Sequence, residues 1–428
     1  MKTEQLHSLF LTCHSVCTDT RKIKKDDIFF ALKGDNFNGN TYAEQALSKG
    51  AKYVVIDEAQ YKTSTRAIVV KNVLETLQEL ARFHRRFLNV PIIALTGSNG
   101  KTTTKELINA VLSQKYKTTA TRGNLNNHIG VPLTLLAMGC NTDIGIVEMG
   151  ANHLKEISFL CHIATPDYGY ITNFGKAHLE GFGGVEGVIK GKSEMYDYLS
   201  TNNKTVFVNG NDTIQLNKTS TSKRFVFGNN AIADVNIDFT EAQPFVICKY
   251  NNLYIKSQLI GDYNFNNIAA AIAIGNYFKV EDKAIKTAIE NYIPNNNRSQ
   301  IIKKGTINII LDAYNANPTS MYAALLNFEK QPGHKTAILG DMFELGVDAK
   351  KEHQSITDLA ISINIDRVIF IGDNFHQSEI HSDKSMKYSN FEDFKTQFDF
   401  SEIKNTTLLI KGSRGMALER LIDLLPSH

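Results

Sequence analysis

The run Pro91-Ile92-Ile93-Ala94-Leu95-Thr96, followed at once by Gly97-Ser98-Asn99-Gly100-Lys101-Thr102-Thr103, constrains this chain more than any other stretch. The apolar segment reads as a buried strand, and the residues from about Thr102 to Ser113 read as a helix. A strand that passes through a Gly-rich turn into a helix is half of a parallel α/β unit, so this region belongs to a sheet covered on both faces. Backbone N–H groups in such a turn, backed by the helix N-terminus, cradle phosphate oxygens. Lys101 would neutralise β/γ charge, and the Thr102 hydroxyl would ligate Mg²⁺. The general Walker spacing would place its first glycine at Leu95, so the loop is a shortened variant.

With 428 residues the chain is too long for one ordinary core, and three blocks are expected. Residues 1–88 hold short strand-like runs at Ile28–Leu32, Tyr53–Ile56 and Ala67–Val70, and a helix from Val73 to Phe87 that ends before Asn89 and Pro91. Residues 89–297 contain the phosphate loop and further strands at Asp143–Glu148 and Tyr168–Thr172. There follow a polar, Asn-rich stretch from about Asn202 to Lys256, read as a β-rich excursion with connecting loops, and an alanine-rich helix from about Phe265 to Tyr277 that closes the block. Residues 298–428 carry strands at Ile307–Leu311, Thr336–Leu339, Arg367–Ile371 and Thr407–Ile410, each running into Asp or Gly: Asp312, Gly340-Asp341, Gly372-Asp373 and Lys411-Gly412. Ligands gather at the carboxyl ends of strands in open α/β sheets, so this block reads as a Rossmann-like domain with its own binding edge. The expected class is α/β in three domains: an N-terminal α/β domain, a central parallel-sheet ATPase domain and the Rossmann-like third.

Lys and Arg number 47 against 44 Asp and Glu, a balance that gives no electrostatic case for a nucleic-acid or membrane partner. No apolar run approaches the ~18 residues of a membrane span, and Met1–Phe10 lacks the apolar core of a secretion signal. Five scattered cysteines (Cys13, Cys17, Cys140, Cys161, Cys248) argue against a disulfide framework and for a reducing compartment, so the cytoplasm is expected.

A Mg-nucleotide site draws an acid from a neighbouring strand end, and Glu148 closes such a strand. His178 follows another strand exit, in Asn173-Phe174-Gly175-Lys176-Ala177-His178; a lone loop histidine is more often merely solvated. On spacing alone Asn264 and Asn267 read as helix-start residues, Thr18-Asp19-Thr20 as a turn, and Arg21 and Lys33 as surface charges.

Taken together, these motifs resemble the Mur ligases. Gly97–Thr103, Glu148-Met149-Gly150-Ala151-Asn152-His153, His178-Leu179-Glu180-Gly181-Phe182-Gly183 and Thr121–Pro132 look like that family's central domain. Thr18–Arg21, Lys33–Gly39, Asp312–Pro318, Leu339–Gly346 and Lys411–Arg414 agree in order, so the resemblance spans nearly the whole chain. It implies an ATP- and Mg²⁺-dependent ligase of peptidoglycan precursor synthesis, acting as a monomer on UDP-N-acetylmuramoyl-tripeptide and D-alanyl-D-alanine. It also implies roles for residues. Gly97 to Thr103, Asn264, Asn267, Arg298, Asp312 and Asn315 would bind ATP, the two Asn264 and Asn267 amides on the adenine side, Arg298 over the phosphates and Asp312 at the ribose. Thr20, Arg21, Lys33, Gly34, Asn36 and Asn38 would contact the UDP-sugar, and Asn126 and Asn127 its muramoyl-peptide end. Lys101, Glu148, His178 and Lys192 would be catalytic, with Thr102, Glu148, His178 and a carbamylated Lys192 as metal ligands. Tyr263 stands where relatives often have His. The competing readings are a ligase of this family that adds another amino acid, a folyl-polyglutamate synthase, a P-loop ATPase switch or motor, and a nucleotide-binding scaffold without turnover.

Overall fold

Residues 1–426 are described by a computed structural model; Ser427 and His428, the end of the third block, lie outside the described residues. The described residues form three sheets of four, nine and six strands and one two-stranded ribbon, with helices packed on the sheets.

The first sheet is parallel and runs in the order Val16–Cys17, Ile28–Phe30, Tyr53–Ile56, Ala67–Val69. The ribbon Lys33–Gly34/Phe37–Asn38 projects from its carboxyl edge. The helix Val73–Leu88 begins where the Asn72 side chain accepts the Glu75 N–H, a cap worth about 1 kcal/mol, and it stops at Asn89, whose φ of 51° ends the helical path. Its apolar stripe, with Leu77, Leu80 and Ala81 fully buried, seats the first domain on the central one. The Arg85 guanidinium donates to Ala164 O (3.3 Å), Thr165 O (3.2 Å) and Asp167 Oδ2 (2.7 Å), and Gln78 donates to His128 O (3.0 Å).

The same interface encloses two histidines. His84 Nε2 lies 2.9 Å from Met138 O, a contact that needs a ring N–H, so His84 Nδ1 accepts from His7 Nε2 at 3.0 Å. Both rings are neutral in this arrangement. Burial, with the neighbouring His84 second, lowers the pKa of His7; burial lowers that of His84 against the opposing Met138 carbonyl. Below about pH 6.5 the unfolded chain therefore takes up protons that the folded chain refuses, and stability is lost as pH falls from there through the folded values. The thermal midpoint is expected to drop between about pH 7.5 and about pH 5.5, and to drop less in His7→Phe. Equal pH profiles for the two proteins would remove the pair from the account of acid sensitivity.

The central sheet has the order Leu253–Ile260, Phe245–Tyr250, Val235–Ala242, Arg224–Gly228, Thr205–Asn209, Tyr168–Ile171, Ile92–Thr96, Ile144–Glu148, Thr118–Ala120. From Thr118–Ala120 to Val235 the pairing is parallel; the last two pairings are antiparallel. The stretch from Asn202 to Lys256 is thus an extension of the same sheet. Its strands alternate: Ile237, Val246, Cys248, Tyr250 and Ile255 pack with Ile268 and Ile272 of the alanine-rich helix Phe265–Tyr277, while the intervening polar residues face water. The polar texture belongs to one side of those strands. A further helix, Asp282–Asn291, follows before the third domain.

The third sheet runs Gln300–Lys304, Ile307–Asp312, Thr407–Lys411, Lys335–Gly340, Arg367–Ile371, Ser385–Tyr388, parallel except for its first pair. The two edge strands go beyond the four expected. The four polar strand exits divide in role. Asp312 and Lys411 reach the large cavity described below, whereas Asp341 accepts the N–H groups of Asn374 (2.9 Å) and Phe375 (3.0 Å) and so caps a helix of its own domain. Among the described residues all five cysteines are free thiols, and no helix is long and apolar enough to cross a membrane.

Candidate active site

The phosphate loop leaves the buried strand Ile92–Thr96 and enters the helix Lys101–Leu112 at Gly100, whose φ is 79°. Gly97 has φ 142°, and a Cβ there would lie 1.9 Å from Thr172 Oγ1, so only glycine lets the loop pack against the next strand exit. That packing is dense in hydrogen bonds. Ser98 N donates to Asn173 O (3.1 Å), Ser98 Oγ to Gly175 O (2.8 Å) and Asn99 N to Asn173 Oδ1 (3.0 Å). Thr172 Oγ1 (2.6 Å) and Asn173 Nδ2 (3.0 Å) both donate to Asn99 O. The Lys101 ammonium folds back on Gly97 O (2.7 Å) and Ser98 O (3.2 Å). Burial lowers its pKa, Glu148 opposes the shift and the Arg298 charge adds to it.

Glu148 ends its strand 1 % exposed, with Oε2 accepting from Thr102 Oγ1 (2.9 Å), Oε1 from Asn126 Nδ2 (2.8 Å) and its own N–H donating to Thr121 Oγ1 (3.0 Å). The predicted partners Thr102, Asn126 and Glu148 are therefore one cluster. Among the described residues no group of three or more His, Cys, Asp or Glu could hold a metal. Mg²⁺ asks for less: it is bound through one or two protein oxygens, with phosphate and water completing the shell. A hydroxyl and a carboxylate beside a phosphate loop fit that requirement.

A cavity of about 620 Å³ opens above the loop, between the central and third domains. Of the expected residues, Ser98 to Thr103, Asn126, Asn127, Glu148, His178, Asn264, Asn267, Arg298, Asp312 and Asn315 line it. The two asparagines at the start of the alanine-rich helix do more than line it. Asn267 Nδ2 donates to Asn264 Oδ1 (2.8 Å) and Thr104 Oγ1 to Asn267 Oδ1 (3.0 Å), while Asn264 Nδ2 donates to Ile260 O (2.8 Å). Their amides thus brace the phosphate-loop helix. Tyr263 donates to or accepts from Ser299 Oγ at 2.9 Å, and burial, with Asp312 second, drives its pKa up. Asp312 is held by Lys411 (2.5 Å) and by Ser299 N–H (3.1 Å), and the Arg298 guanidinium lies 3.6 Å from the Tyr314 ring centre.

Several of these contacts were not legible as roles in the sequence. Lys411, Ser299 and Tyr314 shape the site, and Glu344 pairs with His178 Nδ1 across the domain seam; this hydrogen bond holds the Glu344 carboxyl below its usual range. Asn317 caps the helix Pro318–Glu329 through a capping box with Ser320 and also donates to Asn99 Oδ1 (2.7 Å). The Asn-Pro pair before an apolar run was the available signal for that cap.

Lys192 stands just behind the cavity wall. It is 1 % exposed, its Nζ donates to Ala151 O (3.0 Å), and it lies 5.0 Å from the Phe182 ring centre. Burial, with the Lys101 charge second, pushes its pKa well below the ordinary lysine range. Thr20, Arg21, Lys33, Gly34, Asn36 and Asn38 do not line the cavity; all six lie in the first domain. Arg21 is paired with Asp19 (2.9 Å), Lys33 with Asp57 (2.9 Å) and Glu58 (3.1 Å), and Asn38 Nδ2 donates to Glu58 (2.9 Å). The Phe37 ring, 56 % exposed, covers Gly34.

A phosphate loop, a buried carboxylate beside it and cations supplied by a second α/β domain form the arrangement of a nucleotide-phosphate-binding protein. The sequence matches the Mur ligase family, catalytic domain over residues 12–92, the Mur ligase middle domain over 95–275 and the Mur ligase, glutamate ligase domain over 297–414. It is 34% identical to UDP-N-acetylmuramoyl-tripeptide–D-alanyl-D-alanine ligase of Bacillus subtilis, over 97% of this chain and 93% of that protein. Crystal structures of MurF from Acinetobacter baumannii (TM-score 0.86, 27% identity, 99% and 98% of the two chains covered) and of MurF ligase from Thermotoga maritima in complex with ADP (TM-score 0.81, 26%, 97% and 97%) share the fold. The chain belongs to the Mur ligase family.

Proposed function

We propose that this chain is the ATP-dependent ligase that joins D-alanyl-D-alanine to UDP-N-acetylmuramoyl-tripeptide, giving the pentapeptide precursor, ADP and phosphate. The observation that supports it most is a cavity at the seam of two α/β domains, which gathers the phosphate loop, Glu148, Arg298 and Asp312. The full-length similarity to ligases of that name supplies the substrates.

A carboxylate does not condense with an amine at neutral pH, because oxide is a poor leaving group. Transfer of the γ-phosphoryl group to the terminal carboxylate of the tripeptide gives an acyl phosphate. Attack by the dipeptide amine through a tetrahedral intermediate then expels phosphate. The first step drives one anion toward another, so the protein must supply positive charge and alignment. Lys101 swings from Gly97 O and Ser98 O onto the β/γ-phosphates; Arg298 approaches from the third domain. Asp312 meets the ribose, and the braced Asn264–Asn267 pair fixes the helix on the adenine side. Thr102, Glu148, His178 and carbamylated Lys192 would hold Mg²⁺, which neutralises phosphate charge when bound. Asn126, already on Glu148, and Asn127 face the peptide end. The seam closes over the acyl phosphate and keeps water from it. One copy of the chain carries all of these residues, in keeping with a cytoplasmic monomer.

ADP release measured with UDP-N-acetylmuramoyl-tripeptide and D-alanyl-D-alanine tests this reading. Release should need both acceptors; steady hydrolysis without them would identify an ATPase switch instead. If the first domain holds the UDP-sugar, Arg21→Ala and Lys33→Ala should each raise KM for the UDP-peptide about ten-fold while KM for ATP stays unchanged, because a contact made equally in ground and transition states affects its own ligand. Parallel weakening of both substrates would refute that division of labour.

A further inference from the structure

The segment Asn173–His178 touches two things at once. On one side it is stapled to the phosphate loop: Asn173 O and Oδ1 accept the N–H groups of Ser98 (3.1 Å) and Asn99 (3.0 Å), Asn173 Nδ2 donates to Asn99 O (3.0 Å), and Gly175 O accepts the Ser98 hydroxyl (2.8 Å). On the other side it docks the third domain. Lys176 N–H donates to Thr319 Oγ1 (2.9 Å), Lys176 Nζ to Glu352 Oε1 (2.6 Å), and His178 meets Glu344. A segment so placed cannot shift against the third domain without disturbing the loop that holds the phosphates.

We infer that Lys176 and Glu352 form the latch through which this segment couples nucleotide binding to docking of the third domain. Neither touches a substrate; both are positioning residues. Glu352 lies in the first turn of the helix Ala349–Ser362, and its side chain is 10% exposed against 46% for Lys176. Lys176 is its one hydrogen-bonded side-chain partner among the described residues. With the domains docked, this carboxylate is nearly covered and Lys176 is the side chain that meets it. A buried ion of this kind costs far more unpaired than paired, so a domain docked without Lys176 in register is penalised. The penalty selects the one registry in which Asn173 also holds Ser98 and Asn99 in the shape that receives phosphate. Coupling free energies of this sort commonly change affinity about ten-fold.

The inference rests on the ligase reading, and its test separates the two. Dissociation constants of the β,γ-imido analogue of ATP are measured by calorimetry with Mg²⁺ present, first alone and then with saturating UDP-N-acetylmuramoyl-tripeptide and D-alanyl-D-alanine. In the wild-type protein the acceptors should tighten the analogue by about ten-fold. Lys176→Met should bring that ratio close to one while leaving the affinity for the analogue alone, and the thermal midpoint, near wild type. Glu352→Gln should lower the ratio less, because Gln still accepts from Lys176, and the double variant should be no worse than Lys176→Met. A wild-type ratio in Lys176→Met, a ratio of one in the wild type, or additive losses in the double variant would each overturn the latch. Failure of the wild-type protein to release ADP with these acceptors would instead overturn the ligase reading.

Discussion

Lys101→Ala is expected to lower kcat by about 10³-fold or more while leaving the fold intact. Gly97 and Ser98 are buried beside the cavity, so losing the ammonium from their carbonyls costs the folded state about 1–3 kcal/mol, too little to unfold a chain of this size. The loop itself is held by Asn173, Gly175 and Thr172 and does not depend on the lysine for its shape. Single-turnover ADP formation, with the thermal midpoint as a control for folding, checks this. Near-normal kcat would remove the loop from the transition state and with it the whole assignment of the ATP site.

Lys192→Ala should be nearly as damaging, and for a different reason. Lysine as an ammonium has no lone pair to offer a cation; burial, which lowers the pKa of Lys192, favours the free amine, the form that adds carbon dioxide. The resulting carbamate is an oxygen donor of opposite charge that suits Mg²⁺. Activity should fall by about 10²-fold or more in Lys192→Ala and return in part with added short carboxylates such as formate or acetate. Lys190, two residues earlier and exposed, should tolerate alanine. A carbamate carbon resonance after equilibration with ¹³CO₂, present in the wild type and missing from Lys192→Ala, provides a readout independent of turnover. Full activity of Lys192→Ala, or no such resonance in the wild type, would exclude this role.

The phosphate loop, the strand and helix around it and the Glu148 strand end were legible because each depends on neighbours within a few residues. The capped helix Val73–Leu88 was legible for the same reason, since Asn72, Asn89 and the apolar stripe are local signals. The extension of the central sheet was legible as β-rich, but not as part of the same sheet. Its alternation matters only once the alanine-rich helix covers one side, and in sequence the polar side hides the apolar one. Asn264 and Asn267 were readable as helix-start residues, and their bond to each other is local, but the bond from Thr104 to Asn267 depends on two helices meeting. Glu344, Lys411 and Glu352 lie 166, 99 and 176 residues from their partners His178, Asp312 and Lys176. The roles of Glu344 and Glu352 exist only at a surface that two domains make together, and that of Lys411 only where two strands of the third sheet, distant in sequence, lie side by side.

Arg298 sits on the connection between the central and third domains, flanked by Asn297 and Ser299 with φ of 57° and 51°. Two residues with left-handed backbone bracket one arginine, so a cation that lines the cavity stands on the connection itself. A charge on the connection is displaced least when the third domain swings, so on the proposed function Arg298 would stay over the nucleotide while groups farther from the connection, such as Asp312 and Asn315, withdraw. The departing ADP would then lose its ribose-side contacts first and its phosphate-side cation last, so the base and sugar would leave ahead of the phosphates.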